Sequence, residues 1–122
     1  MEESLNRAVL NLNDLPLEEV VAHGGEGKIR SCRVFDSGAF EGAWNFVDYA
    51  VLPPGTSIGC HTHGRNEEMY LVMEGEGTLS LDGETFPVRP GSVILNRSGG
   101  THGLANDSGA ELRIFVVEVS AG

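Results

Sequence analysis

Two stretches that contain several glycines decide the fold, GTSIGCHTHGRNEEMYLVMEG at residues 55–75 and GSVILNRSGGTHGLAN at residues 91–106. Between them they contain three of the four histidines of the chain and a nearby glutamate: His61, His63, Glu68 and His102. Alternate residues of a strand project from one face, so a His-x-His pair can direct both imidazoles at one point. Imidazole nitrogen and carboxylate oxygen are ligands that suit Fe, Mn, Ni, Co, Cu or Zn. The pattern therefore predicts a site for one divalent metal ion.

The alternative is a set of unrelated surface histidines. Chance would not favour a two-residue gap between two histidines, a carboxylate five positions later, and a third histidine inside a glycine-rich turn. Motif matches are hypotheses that the surrounding sequence must support. The surrounding sequence supports this one.

The two stretches resemble the two sequence motifs of the cupin superfamily. The first family motif is Gly, five residues, His-x-His, three or four residues, Glu, six residues, Gly, and it is matched here by Gly55, His61, His63, Glu68 and Gly75. The second is Gly, five residues, Pro-x-Gly, two residues, His, three residues, Asn, and it is matched by Gly91, Gly99, His102 and Asn106. Arg97 stands where the family usually has proline. The resemblance covers residues 44–119 and implies a metal-binding jelly-roll barrel.

The residues around the predicted ligands provide candidates for an acid or base, which the motifs themselves lack. Glu67 fits the shorter gap of the first motif but misses the count to the closing glycine, and it should point away from Glu68. Tyr70 shares a face with Glu68 and either faces the substrate or belongs to the core. Arg97 offers a guanidinium to a carboxylate, enolate or phosphate, or is a solvated loop residue. Tyr49 is a candidate by proximity only.

The rest of the chain predicts an all-β single domain, for which the cupin resemblance implies a jelly-roll β-barrel. Short segments rich in β-branched, aromatic or alternating residues predict strands at 29–35, 44–52, 68–73, 78–81, 84–88, 92–95 and 112–119. Asp82-Gly83 predicts a type I′ hairpin turn, and many short strands with little helix indicate a sandwich or barrel.

The domain organisation is predicted to be simple. Residues 1–28 form an N-terminal arm that could pack on a partner subunit, and residues 29–122 form the barrel. Within the arm, LEEV after Pro16 suggests a short helical turn, and the glycines of residues 22–28 suggest a mobile loop. His23 in this loop is either a solvated surface residue or a further metal ligand.

Composition narrows the choice of partners and compartment. The 122 residues carry a formal charge of -10 with a pI near 4.6, which argues against nucleic acid or an anionic membrane as a partner. Cys32 and Cys60 occur without a secretion signal, so we expect reduced thiols and a cytoplasmic protein. Apolar residues of the N-terminal segment and uncovered sheet faces predict a homodimer.

The predicted function follows from the metal. Three neutral imidazoles and one carboxylate leave a divalent ion with positions for water, O2 or a substrate with two adjacent oxygens. We therefore expect a metal-dependent enzyme with Fe, Mn or Ni (Zn, Co or Cu being alternatives) that acts on an oxygen-rich small molecule. Because the intact set of three histidines and one glutamate resembles that of redox-active cupins as well as others, the resemblance places dioxygenase chemistry slightly ahead of isomerisation or decarboxylation. The alternative is a non-catalytic module that binds or senses a small ligand.

Overall fold

The computed structural model describes residues 8–122 and contains ten β-strands but, within those residues, no α-helix. The strands are β1 Glu18–Val20, β2 Ile29–Asp36, β3 Trp44–Leu52, β4 Ser57–Thr62, β5 Asn66–Glu74, β6 Gly77–Leu81, β7 Glu84–Val88, β8 Val93–Asn96, β9 Thr101–Ala105 and β10 Leu112–Ser120. Short 3-10 helices cover Leu12–Asp14 and Ser37–Ala39.

The strands form two antiparallel sheets. The larger sheet has the order β1-β2-β3-β10-β5-β8 and the smaller one β4-β9-β6-β7. Consecutive strands such as β4 and β5 lie in different sheets, which is the connectivity of a jelly roll. The prediction of an all-β jelly-roll barrel is confirmed.

The core lies between the two sheets because alternate residues of each strand point inward. On β10 the inward residues Leu112, Ile114 and Val116 are buried, and Leu104 of β9 reaches them from the smaller sheet. The next inward position of β10 is polar: by the same alternation Glu118 points to the inside, at one end of the barrel. This end holds the candidate site.

Two local predictions have opposite outcomes. The hairpin at Asp82-Gly83 is confirmed, since both residues have positive φ, 50° and 87°, as a type I′ turn requires. The helical turn after Pro16 is wrong, because residues Glu18–Val20 form β1 and pair with β2. The acidic residues of this segment form an edge strand because backbone pairing with β2 outweighs their weak helix propensity.

The described part of the N-terminal arm contacts its own chain. Leu12 and Asn13 line cavities on the outer face of the larger sheet together with Tyr49 and Arg113. The first seven residues of the predicted arm lie outside the described residues. Among residues 8–122, no helix is long and apolar enough to cross a membrane.

Candidate metal site

The four predicted ligands come from three strands and the turn after β4. His61 on β4 and His102 on β9 are directly paired across the smaller sheet. His63 follows the end of β4, and Glu68 projects inward from β5 of the opposite sheet. His102 therefore lies in a strand, and the prediction that it lies in a glycine-rich turn is wrong. Its neighbour Gly103 has no side chain to separate β9 from β4, and a Cβ there would lie only 2.9 Å from the Cys60 nitrogen.

The ligand atoms of these residues converge on one point. The Nε2 atom of His102 lies 3.2 Å from the Nε2 atoms of both His61 and His63, and 3.0 Å from Oε1 of Glu68. The Glu68 oxygen is 3.2 Å from Nε2 of His63, and all four ligand atoms fall within 4.8 Å of one another. The structure thus brings together all four residues that the motif indicated.

Hydrogen bonds at the far side of two rings fix which nitrogen faces this point. His61 Nδ1 donates to the Gly59 carbonyl over 2.8 Å. His63 Nδ1 contacts Oδ1 of Asn66 and lies 3.6 Å from a carboxylate oxygen of Glu118. A neutral imidazole that donates from Nδ1 presents an unprotonated Nε2. Both rings therefore present lone pairs to the centre of the cluster, which is the arrangement of metal-ligating histidines.

The cluster fits a divalent metal ion. Ligands placed about 2.1 Å from one ion and at right angles to each other are about 3.0 Å apart, close to the 3.0–3.2 Å separations within this cluster. The Glu68 Oε1 and His102 Nδ1 atoms are buried without a hydrogen-bond partner among the described residues. A buried carboxylate oxygen surrounded by imidazole lone pairs is costly unless a cation compensates it.

The electrostatics of the site favour the protonation states that such an ion needs. Burial lowers the pKa of the His61 imidazole, and the charges of neighbouring histidines lower it further. His61 is therefore neutral at pH 7. Burial also raises the pKa of the Tyr70 phenol well above its ordinary value, and the Glu68 carboxylate acts in the same direction. The phenol stays protonated, with its hydroxyl oxygen 3.4 Å from His102 Nε2.

A cavity of about 310 Å³ opens beside the cluster, between the sheets. His63, Glu68 and Tyr70 form part of its wall, so it reaches the ligand set. Most of its remaining wall is apolar, from Val20, Ile29, Ala50, Ile58 and Val116. Such a pocket, apolar with a few convergent polar groups, is the usual form of a small-molecule site.

Three other candidates from the sequence, Tyr49, Glu67 and Arg97, are not among the residues that line this cavity. Tyr49 lies on the opposite face of β3 from the cavity-lining Asp48, and its hydroxyl accepts a 2.6 Å hydrogen bond from Arg113. The structure therefore does not bring Tyr49 to the cluster, because a one-residue step along a strand changes the face. Glu67 is half-buried and, by the same alternation, points away from Glu68. Arg97 is exposed in the turn after β8.

His23 is exposed but not isolated. Its ring stacks on that of His61, with centroids 3.6 Å apart and an interplanar angle of 12°. It lines the cavity but does not belong to the four-residue ligand cluster.

Sequence reasoning missed several polar residues of the cavity. Glu118 is largely buried, faces the cavity and contacts His63, and its second carboxylate oxygen accepts a 2.9 Å hydrogen bond from Asn45. Arg33 and Asp48 form an ion pair on the cavity wall. The alternation along β10 could have identified Glu118. It follows Ile114 and Val116 at alternate positions, so an acidic residue occupies an inward position of an apolar strand.

Comparison with known proteins agrees with this geometry. Residues 48–118 match the family model for the cupin domain. The chain belongs to the cupin family. An oxalate-binding protein of Thermotoga maritima is 26% identical over 117 residues, which are 96% of this chain and 97% of that protein.

Solved structures show the same fold. The crystal structure of a predicted oxalate decarboxylase of Thermotoga maritima superposes with a TM-score of 0.89 at 26% identity, covering 92% of this cupin and 98% of that chain. A polyketide cyclase of Streptomyces resistomycificus has a TM-score of 0.77 at 24% identity, covering 95% of this cupin and 80% of that chain, and shares the fold.

Proposed function

We propose that this cupin binds one divalent metal ion through His61, His63, Glu68 and His102, and that the bound ion holds a small oxygen-rich ligand in the adjoining cavity. The observation that carries the proposal is the convergence of three imidazole Nε2 atoms and a buried carboxylate oxygen on one point. When bound, the ion supplies a Lewis acid for oxygen donors of the ligand. Fe, Mn or Ni are the metals we expect for this nitrogen and oxygen set, with Zn, Co or Cu as alternatives.

The chain itself contributes orientation and a dry environment. Gly59 and Asn66 hold the rings of His61 and His63 in the tautomer that leaves Nε2 free. His102 is fully buried, and Tyr70 is 3% exposed, so water has little access to the inner side of the site. The protonated Tyr70 hydroxyl supplies a hydrogen-bond donor to a ligand oxygen. Similarity to an oxalate-binding protein supports a carboxylate as the group that binds.

Catalysis is the second candidate function. It is supported by a hydrogen-bond donor and a hydrogen-bond acceptor, Tyr70 and Glu118, on the wall of one cavity that also reaches the ligand cluster. Resemblance of the ligand set to redox-active cupins slightly favours dioxygenase chemistry, and similarity to a predicted oxalate decarboxylase favours loss of CO2 from a carboxylate. Measurement of O2 uptake and CO2 release distinguishes these reactions from binding alone.

The first test is elemental analysis of tag-free protein purified without oxygen and without added metal, followed by calorimetric titration with oxalate before and after metal removal. We expect about one equivalent of metal per chain and ligand binding that is lost with the metal and restored by reloading. Oxalate and other small carboxylates that bind equally well to the metal-free protein would overturn the proposal. Metal removal that lowers the melting temperature but leaves ligand binding intact would make the metal structural.

We also propose that the protein forms a homodimer through the outer face of the larger sheet. Five large apolar side chains on β5 and β8 are exposed there: Met69, Leu71, Met73, Val93 and Leu95. They form one patch because Met69 pairs with Leu95 and Leu71 with Val93. Contiguous exposed apolar surface of this kind marks an interaction site. Light scattering at micromolar concentration should give a dimer, and Leu71→Glu should give a monomer; a monomeric wild type would refute the proposal.

A further inference from the structure

Arg33 is, in the described part of the chain, the only lysine or arginine that lines the cavity. Its guanidinium lies 4.1 Å from the centroid of the Phe46 ring, which supports it by a cation–π contact. Asp48 fixes its orientation through two hydrogen bonds, from Nε over 3.0 Å and from Nη2 over 3.2 Å. The guanidinium is therefore held in place before any ligand arrives.

This arrangement leaves donors for a ligand. A guanidinium has five N–H groups, and two of those of Arg33 are used by Asp48. The side chain is 54% exposed, so it lies at the opening of the cavity and not at its inner end. A fixed guanidinium binds planar carboxylates, as it does phosphates, through two parallel hydrogen bonds.

Strand register places Arg33 three strands away from Tyr70, which shares the inner face of β5 with the predicted ligand Glu68. Arg33 is paired with Asp48, Asp48 with Val116, and Val116 with Tyr70, in one row across β2, β3, β10 and β5. Neighbouring strands are about 4.8 Å apart, so the two ends of this row are separated by about 14 Å. Side chains from both ends shorten the gap. Oxalate, whose carboxylates are joined by one bond of about 1.5 Å, spans less of this distance than a longer dicarboxylate does.

The middle of the cavity indicates the nature of the connecting part. Between the two ends, the wall carries the apolar side chains of Val116, Ala50 and Ile58. It also carries two carboxylates that already have partners, Asp48 bound to Arg33 and Glu118 bound to Asn45. A volume of about 310 Å³ corresponds to roughly ten water molecules at about 30 Å³ each. The cavity therefore has room for several methylene groups beyond a two-carbon acid.

We propose that Arg33 determines specificity by binding the distal carboxylate of an elongated acid, whose other end carries the oxygen donors held at the metal. This inference rests on the proposed function, because it assigns one end of the ligand to the metal cluster. Asp48 acts as a positioning residue for Arg33. The ligand class is a dicarboxylate with an apolar middle, longer than oxalate.

Two matched probes test the assignment. 2-Hydroxyglutarate and 2-hydroxypentanoate share the hydroxyl and carboxylate that can bind a metal, and differ in the distal carboxylate. Calorimetric titration of metal-loaded wild-type protein should show a preference for 2-hydroxyglutarate of roughly tenfold or more, the size of a hydrogen bond to a charged group. It should also bind 2-hydroxyglutarate more tightly than oxalate.

The variant must remove the contact without adding a charge. Replacing Arg33 alone would leave Asp48 unpaired and repel any acid, so the informative variant is the double substitution Arg33→Gln with Asp48→Asn. We expect its preference between the two probes to fall to within about twofold, while its affinity for 2-hydroxypentanoate stays within about twofold of wild type. Arg89→Gln, at an exposed arginine outside the cavity, is the control and should keep the preference.

The outcomes distinguish a failure of the Arg33 assignment from a failure of the proposed function. Binding of both probes to wild type with equal affinity overturns the role of Arg33 but leaves the metal-dependent binding function standing. A preference that survives the double substitution, or that Arg97→Gln abolishes instead, also overturns it. Failure of the metal-loaded protein to bind either probe or oxalate overturns the proposed function and this inference together.

Discussion

Replacement of His102 by alanine should remove the metal without unfolding the barrel. The residue is 0% exposed, and its Nε2 atom is the member of the cluster that lies 3.0–3.2 Å from three other ligand atoms. The surrounding core of Leu52, Leu104 and Ile114 does not depend on this ring. The barrel therefore differs from a zinc finger, whose folding requires the ion.

The expected loss of unfolding free energy in the His102→Ala variant is the difference between two opposing effects. Truncation of a large buried side chain costs about 3–5 kcal/mol. Removal of Nδ1, which is buried without a hydrogen-bond partner among the described residues, returns about 1–3 kcal/mol. The net loss is about 2 kcal/mol. With about 2.1 cal/mol/K of unfolding entropy per residue over 122 residues, the metal-free variant should melt about 8 °C below metal-free wild type.

The metal-dependent part of the stability should respond differently. A metal at about 100 times its dissociation constant stabilises the wild type by about 2.7 kcal/mol, or about 10 °C by the same entropy. Without the imidazole of His102, the same metal concentration should raise the melting temperature by less than about 2 °C.

The assay is thermal unfolding followed by circular dichroism, with and without metal, together with elemental analysis. His23→Ala is the matched control, because His23 stacks on His61 but lies outside the ligand cluster, and it should keep its metal. Loss of the β-sheet spectrum in the His102 variant at 25 °C would refute the reasoning, as would retention of a full equivalent of metal.

Three further predictions concern the support of the ligands and the backbone. Glu118→Gln should weaken metal affinity about tenfold, because its carboxylate lies 3.6 Å from Nδ1 of His63; an unchanged affinity by calorimetry would contradict this. Metal affinity should fall at least about tenfold from pH 7 to pH 5, since only neutral imidazoles bind; burial lowers the pKa of His61, so this ring protonates at a lower pH than an ordinary imidazole, and a flat profile would refute the ligand set. Gly75→Ala should lower stability by about 3 kcal/mol, because φ is +86° and the new Cβ would lie 2.2 Å from a backbone carbonyl oxygen, whereas Gly109→Ala, with open space around it, should be nearly neutral in denaturant unfolding.

The candidate site shows how far local sequence can predict a structure. The His-x-His pair, the glutamate and the later histidine could be assigned to one site because their spacing repeats a family pattern. The strands that hold two of them, β4 and β9, were not predicted, since their glycines and polar residues give no apolar alternation. These two segments are strands because they pair with each other in the smaller sheet, whereas their local propensity does not favour a strand.

The sequence by itself determined the all-β fold and the Asp82-Gly83 hairpin, because strand periodicity and turn chemistry are local properties of the chain, and it predicted the four candidate ligands because their spacing repeats a family pattern. Only the tertiary structure decided that Glu118 and Arg33 face the same cavity as the predicted ligands and that Tyr49 does not. Those residues come from strands far apart in sequence, and the face on which each lies depends on register across β2, β3, β10 and β5. A shift of one residue would reverse every such assignment, and nothing in a single segment fixes that register.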